Sequence, residues 1–529
     1  MSPGSRRVAA VPALMAALAL MAATDAAGQG HEALPDHLGT VEYTVGCAGS
    51  APDSFARGLS LLHHMTYEAA ASAFRAAAVA DSGCAMAYWG EAMTYIHPLW
   101  SDPPTDAGFD RGRMLALRAA QLASGNAVDS AFASAAAAYY LAGRSTAERP
   151  NLEAFEQAWA RVHEQFPDQV EAAAFYALAH LATVDPADKT YRHQRAAGAL
   201  MESVLARHPD HPGAHHYLIH AYDYPTLAEG GLTVARHYGS VAPHVAHALH
   251  MPTHTFTRLG QWAETIAWNL RSAEAARTVA GEATSLHYLH ALDYLVYAWL
   301  QTGDLARAEA IKDTLRRLAG PIQVEIASAY TLAAVPARIA LETRNWKDAA
   351  ALVPRMPASF PWDKFPAAEA LTYYARALGG AHLGDTRLVQ QSIERLGTLR
   401  EAAATSSAYW ANQIDIQLLA AKASLAASSG DTASALGLFR EAATAEARTE
   451  KHPVTPGELL PAAEVLGEFL LDAGQPAAAL AQFLHVLERS PNRLNSMKGA
   501  ARAARLSGDA DAADRYEAEV ARLVAVSKQ

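Results

Sequence analysis

The chain has 529 residues, 51% of them hydrophobic and only 18% charged, which excludes a disordered chain and allows several domains or one long repeat array. Acidic residues outnumber basic ones, 54 to 43, for a formal net charge of -11, and no basic run occurs, which excludes a nucleic-acid-binding surface. Alanine runs such as AAASAFRAAAVA (69–80) suit tightly stacked helices. Histidine is the outlier: of 23, ten (His208, His211, His215, His216, His220, His237, His244, His247, His250 and His254) fall within 47 residues.

At the N-terminus, Arg6 and Arg7 precede an uncharged apolar stretch from Val8 to Thr24 and small residues at Ala26, Ala27 and Gly28. This order predicts a cleaved secretory signal peptide over residues 1–28 and a mature protein in the periplasm or outside the cell, with no membrane span. The only two cysteines, Cys47 and Cys84, both follow that segment. In an oxidising compartment the first reading is a Cys47–Cys84 disulfide, tying a leading segment (29–50) to the first helical hairpin. Two separate buried thiols, or a thiolate metal site with His63 or His64, are the alternatives.

From residue 51 onward apolar residues recur at helical spacing and strand signals are sparse, which predicts an all-α chain. Gly58, Ala70, Phe74 and Ala77 with the turn Asp81-Ser82-Gly83 open the series. Then come RLGQWAETIA (258–267), LQTGDLARAEA (300–310), SSGDTASALGLFREA (428–442), DAGQPAAALAQFLHVLERSP (472–491) and RLSGDADAA (505–513). These segments resemble the tetratricopeptide repeat, a helix-turn-helix unit of about 34 residues. Gly474 and Gly508 stand one such interval apart, and the pattern is weak near 100–165 and 315–415. The resemblance implies a right-handed α-solenoid with a concave groove. It divides into an N-terminal part carrying the histidines (51–310), degenerate repeats (311–415) and C-terminal repeats (416–529).

In that family the first helix of each repeat turns positions 2, 5, 9, 12 and 13 toward the groove. With Gly260 at position 15, His250 falls at 5 and His254 at 9. The HPDHPGA turn sets the preceding copy and puts His216 at 5, His220 at 9 and Asp223 at 12. The two registers agree: 250 - 216 and 254 - 220 are both 34. With Gly303 at 15, the following copy holds His290 at 2, Asp293 at 5 and Tyr297 at 9, and the copy before the cluster has Glu171 at 2 with Ala174 and Leu178 at 5 and 9. HPGAHHYLIHAYDYP (211–225), HALHMPTHTF (247–256) and CAMAYWGEAM (84–93) are similar to segments of exported bacterial tetratricopeptide proteins of unassigned function.

Histidines four apart on a helix project to one face and can chelate one ion, and two such pairs on neighbouring helices can converge on a shared ion. His216, His220, His250 and His254 form the primary set, with His290, Asp293 and Asp223 next, as ligands or as acceptors for the far ring nitrogens. Such a set suits zinc, copper, iron or nickel. Hydrogen bonding to a polar ligand without metal, or core packing, are the other readings of the four. His180 and His247 read as core residues, His208 and His211 as exposed loop residues, and His63 and His97 as packed against Tyr95, Trp89 and Trp100. No serine-nucleophile elbow, phosphate-binding glycine loop or HExxH motif is present, so nothing selects a reaction or establishes an enzyme. The leading expectation is an exported solenoid binding a transition metal, for metal handling or metal-assisted chemistry. The alternative is a metal-free scaffold for a peptide or protein ligand in the groove.

Overall fold

The computed structural model describes residues 37–100, 103–144, 148–279 and 283–526, and the expected signal segment lies outside them. These residues form 25 α-helices and two short 3-10 turns. Their one β-type contact is an isolated bridge between Thr284 and Ile322. The chain is all-α, and each helix packs chiefly on its neighbours in sequence, as Ala51–His63 does on Tyr67–Ala80 and Ala462–Asp472 on Pro476–Arg489. The weakly patterned stretches continue the series, for example with the helices Asp106–Leu122, Ala127–Leu141 and Pro366–Leu383.

Close approach of the helices depends on glycine at fixed places. Phe74 wedges between Gly58 and Gly90, where a Cβ at Gly90 would lie 2.2 Å from the ring. Phe483 wedges between Gly467 and Gly499, where a Cβ at Gly499 would lie 2.4 Å away. In both places the phenylalanine is 16 residues from each glycine (74 - 58 and 90 - 74; 483 - 467 and 499 - 483), so one packing unit recurs near both ends of the chain. The turn glycines Gly260 and Gly303 have φ of 64° and 78°, a backbone conformation strained for residues with a Cβ.

The groove face is not left open, contrary to the expectation from the repeat. The C-terminal helices fold back on the middle of the chain: Leu286–Thr302 touches both Leu494–Leu506 and Ala510–Val526. Trp262 Nε1 donates to Asn492 O at 2.9 Å, and Leu494 N donates to Gln301 Oε1 at 2.9 Å. Buried Arg493 joins Glu464 and Glu342, each at 2.7 Å. This closure carries the connection between the helices Thr432–Ala447 and Ala462–Asp472 across the histidine-bearing helices. Glu450 pairs there with Lys189 at 2.6 Å and Arg489 at 3.2 Å, and Lys451 Nζ meets Asp223 Oδ2 at 3.1 Å. Tyr294 OH donates to Pro453 O at 3.0 Å, and Arg338 Nη1 donates to the carbonyls of Gly457 and Glu458 at 3.2 and 3.0 Å.

Cys47 and Cys84 are disulfide-bonded with a separation of 37 residues. The leading segment is held further by Thr40 N donating to Asp210 O at 3.0 Å and by Tyr43 OH donating to Asp129 Oδ1 at 2.6 Å. In the chain-entropy account a loop of this length stabilises by about 4 kcal/mol. The Cys47→Ser, Cys84→Ser double variant should therefore lose about 3–4 kcal/mol in a urea titration. An unchanged midpoint would show that the leading segment is fixed by its hydrogen bonds alone. No described helix is long and apolar enough to cross a membrane.

Candidate metal centre

The histidines meet in two groups of three. Nitrogens of His216, His220 and His247 lie within 4.8 Å of one another, and those of His250, His254 and His290 do the same. Each group is built alike. His216 and His220 sit one turn apart on the helix Pro212–Tyr222, and His247 comes from the start of the next repeat, on Ala246–His250. His250 ends that short helix, His254 follows one turn later on Pro252–Arg258, and His290 comes from the repeat after, on Leu286–Thr302. Each trio thus takes positions 5 and 9 of one repeat and position 2 of its successor. The series stops before and after, because Gly213 stands at position 2 of the first copy while Asp293 and Tyr297 occupy 5 and 9 of the third.

The four primary histidines thus fall into two groups: His216 and His220 lie with His247, and His250 and His254 with His290. His247, expected in the core, is buried as expected and also lies within the first group. The trios adjoin, with ring centroids of His220 and His254 at 5.8 Å and of His247 and His250 at 6.1 Å, within the 4.2–6.3 Å range found inside the trios. His216, His247, His250, His254 and His290 are buried, and His220 is partly exposed. Trp100 stands beside the trios, 5.5 Å from His247 and 6.4 Å from His290 between ring centroids.

Ring protons are placed by what the far nitrogens touch. His216 Nδ1 lies 2.6 Å from His63 O, a carbonyl that only accepts, so Nδ1 carries the proton and Nε2 a lone pair. That Nε2 is 3.2 Å from Nε2 of both His220 and His247. His250 Nδ1 donates to Asn269 Oδ1 at 2.7 Å, the amide being oriented by its own Nδ2 donating to Thr265 O at 2.9 Å. His254 Nδ1 donates to Asp223 Oδ2 at 2.9 Å. With both Nδ1 atoms protonated and both rings neutral, Nε2 of His250 and of His254 face each other at 3.1 Å with lone pairs and no proton between them. Two imidazoles bound to one metal at about 2.0–2.1 Å hold their nitrogens at such a separation, and far-nitrogen acceptors of this kind are what orient ligating histidines.

Burial keeps these rings neutral, the form that ligates. It lowers His216 to about 3 and holds His220, His247, His250 and His290 well below the ordinary histidine value. His254 is also lowered by burial, with Asp223 opposing. Burial alone would raise the Asp223 carboxyl, but Lys451 and Arg258 hold it well below the usual carboxylate range. Arg258 Nε reaches its Oδ1 at 2.8 Å. Burial pulls Lys451 down to about 8 against the pull of Asp223. Asp223 is thus an ionised acceptor behind His254 and does not join either trio.

Asp293, expected among the secondary ligands, lies outside both trios. Its Oδ1 faces Arg338 Nε at 3.4 Å, its Oδ2 has no hydrogen-bond partner among the described residues, and burial raises its carboxyl against the opposing Arg338. Arg338, a buried cation one helix away on Ile326–Glu342, captures it before a histidine can.

A third group, His63, Glu171 and His211, also has the spacing of a metal site. Its protons close without an ion. His211 Nδ1 accepts from Ala214 N at 3.0 Å, so its Nε2 donates to Glu171 Oε1 at 3.1 Å. His63 Nε2 meets Glu171 Oε2 at 2.6 Å while its Nδ1 faces Tyr217 OH at 2.9 Å, and Glu42 N supplies a further donor to Glu171 at 3.0 Å. Burial alone would raise the Glu171 carboxyl, but His211 and His63 hold it well below the carboxylate range. His211 is accordingly a buried helix cap, not the exposed loop residue expected from HPDHPG. His63 is a hydrogen-bonded member of this group, and His97 stacks on Tyr67 at 4.1 Å. His208 is partly exposed beside Glu42, and His180 is a half-buried partner of Glu156 and His193 instead of a core residue. The chemistry of the histidine trios and the helical-repeat scaffold suit, respectively, a metal ion and protein interaction.

No protein-family model and no curated protein matches the chain. Among solved structures it is similar to the human IFIT1 dimer with PPP-AAAA, at 12% identity and a TM-score of 0.39, covering 90% of this chain and 95% of that one. It is also similar to the APC/C hetero-tetramer Cut9-Hcn1, at 12% identity and TM-score 0.28, covering 90% and 94%. The P58(IPK) TPR domain follows at 11% identity and TM-score 0.20, covering 87% and 99%. At such identities and scores nothing of the neighbours' ligands transfers to this chain.

Proposed function

We propose that this chain is an exported helical-repeat metalloprotein that holds two transition-metal ions side by side, one on His216, His220 and His247 and one on His250, His254 and His290. The observation that carries this reading is the facing pair of lone pairs on His250 and His254, 3.1 Å apart with both far nitrogens already donating. While both rings are neutral and those donors stand, neither Nε2 has a proton to offer the other, and a cation between them removes the repulsion. Export is supported by the apolar N-terminal segment and by the Cys47–Cys84 disulfide. The histidine-bearing face is crossed by residues 449–461, and a peptide lying there would have to displace Lys451 from Asp223 and Glu450 from Lys189. That favours metal chemistry at this face over peptide binding.

The test is stoichiometric. Protein purified without chelator should carry about two ions per chain by elemental analysis, and His247→Ala and His290→Ala should each carry about one, since each leaves the other trio whole. Helical content should be unchanged in both variants. A chain that takes up no zinc, copper, iron or nickel would remove the proposal, and a single ion lost in every variant would point to one shared site.

A further inference from the structure

We infer that the two ions are copper, held as Cu(I), and that the centre takes up one dioxygen molecule between them. This rests on the two-ion reading above and adds the identity of the metal and of its ligand.

Charge carries the inference. Both trios consist of histidine alone, so their six ligand groups are neutral imidazoles. The nearest carboxylate, Asp223, is already matched by Arg258 at 2.8 Å and Lys451 at 3.1 Å, and Asp293 by Arg338 at 3.4 Å. Among the described residues no carboxylate belongs to either trio to offset the metals. Two divalent ions would place four positive charges in a buried site, whereas two Cu(I) ions place two. Imidazole suits copper, and copper leads the divalent series in affinity, so the site keeps its metal through a change of oxidation state. Three nitrogens per ion also leave a face of each ion open to a further ligand.

Dioxygen fits the charge of such a pair. Rings from opposite trios come as close as 5.8 Å and 6.1 Å between centroids, so ions held by the two trios would be neighbours, as the proposal requires of a pair that shares one ligand. On uptake each Cu(I) gives one electron, the O=O double bond becomes an O–O single bond, and no proton is required. Two Cu(II) ions and one peroxide dianion carry the same net charge as two Cu(I) ions, so the buried site meets no new charge. His220, the partly exposed member, marks the side nearest solvent.

The experiment uses the full chain, stripped by chelator, reloaded without air with two equivalents of Cu(I), and then exposed to air-saturated buffer. One dioxygen should be consumed per two coppers. The oxidised product should show no copper signal in electron paramagnetic resonance, because the two Cu(II) spins pair, and should gain a near-ultraviolet charge-transfer band. His247→Ala and His290→Ala should each bind one copper and lose that dioxygen stoichiometry and the spin pairing. Two coppers that oxidise to separate, resonance-active Cu(II) ions would overturn the inference and leave the two-ion centre standing. Refusal of Cu(I) together with uptake of two zinc ions would do the same. Failure to take up two ions of any metal would overturn the centre itself.

Discussion

Taking the metal-free protein from pH 7 to 5.5 is expected to remove about 4 kcal/mol of stability through three histidines alone. Burial lowers His64 to about 3, His215 to about 4 and His216 to about 3. In the unfolded chain each titrates near the ordinary histidine value of about 6.5. As pH falls below that value the unfolded state takes up protons and the folded state does not, so stability declines from about pH 6.5 down toward the folded values. Over this interval each ring contributes about 1.2 kcal/mol. The reason the folded rings stay neutral is structural: His64 sits between Tyr238 OH at 2.8 Å and Leu38 O at 3.1 Å, with no carboxylate to hold a second proton. The other lowered trio histidines, His220, His247, His250, His254 and His290, add in the same direction. Urea midpoints measured against pH in the presence of chelator should fall steeply, and metal should restore part of the loss by binding only the folded state. A flat profile between pH 7 and 5.5 would contradict the buried, neutral assignment of these rings.

Glu171→Ala is expected to lose about 3–5 kcal/mol of stability and no metal. The carboxylate is fully buried and accepts from His63, His211 and Glu42 N, so its removal strands three donors. The loss should appear in the urea midpoint, while elemental analysis should still give about two ions per chain. This separates the hydrogen-bonded His63–Glu171–His211 group from the two trios, which share its spacing but not its proton arrangement. A variant that keeps its stability and drops an ion would make Glu171 a ligand instead.

Much of this arrangement is legible in the sequence because the repeat is. Helical periodicity, turn glycines such as Gly474 and Gly508, and the identical offsets of His216/His220 and His250/His254 give the all-α fold and two thirds of each trio. The same register contains the remaining third: His247 and His290 both stand at position 2, one of the inward positions. His247 reads as core because it lies three residues before His250 in an apolar-looking stretch, where packing is the ordinary role. Asp293 holds an equally good position, yet buried Arg338 claims it, and the pairing of residues 45 apart on different helices leaves no local pattern. His211 looks like loop because HPDHPG is rich in turn formers, and only Glu171, 40 residues away, draws it inside. The crossing of the groove face by residues 449–461 depends on contacts such as Lys451 with Asp223, 228 residues apart, and no periodic signal announces it.

Anomalous diffraction from crystals of the protein isolated without chelator, collected at the absorption edges of copper, iron, nickel and zinc, addresses the central claim directly. The account predicts two peaks per chain, one within about 2.0–2.1 Å of nitrogens from His216, His220 and His247 and the other equally placed among His250, His254 and His290. A single peak shared by the two helical pairs, a peak at Glu171, or crystals of metal-replete solutions with no peak at either trio would contradict it.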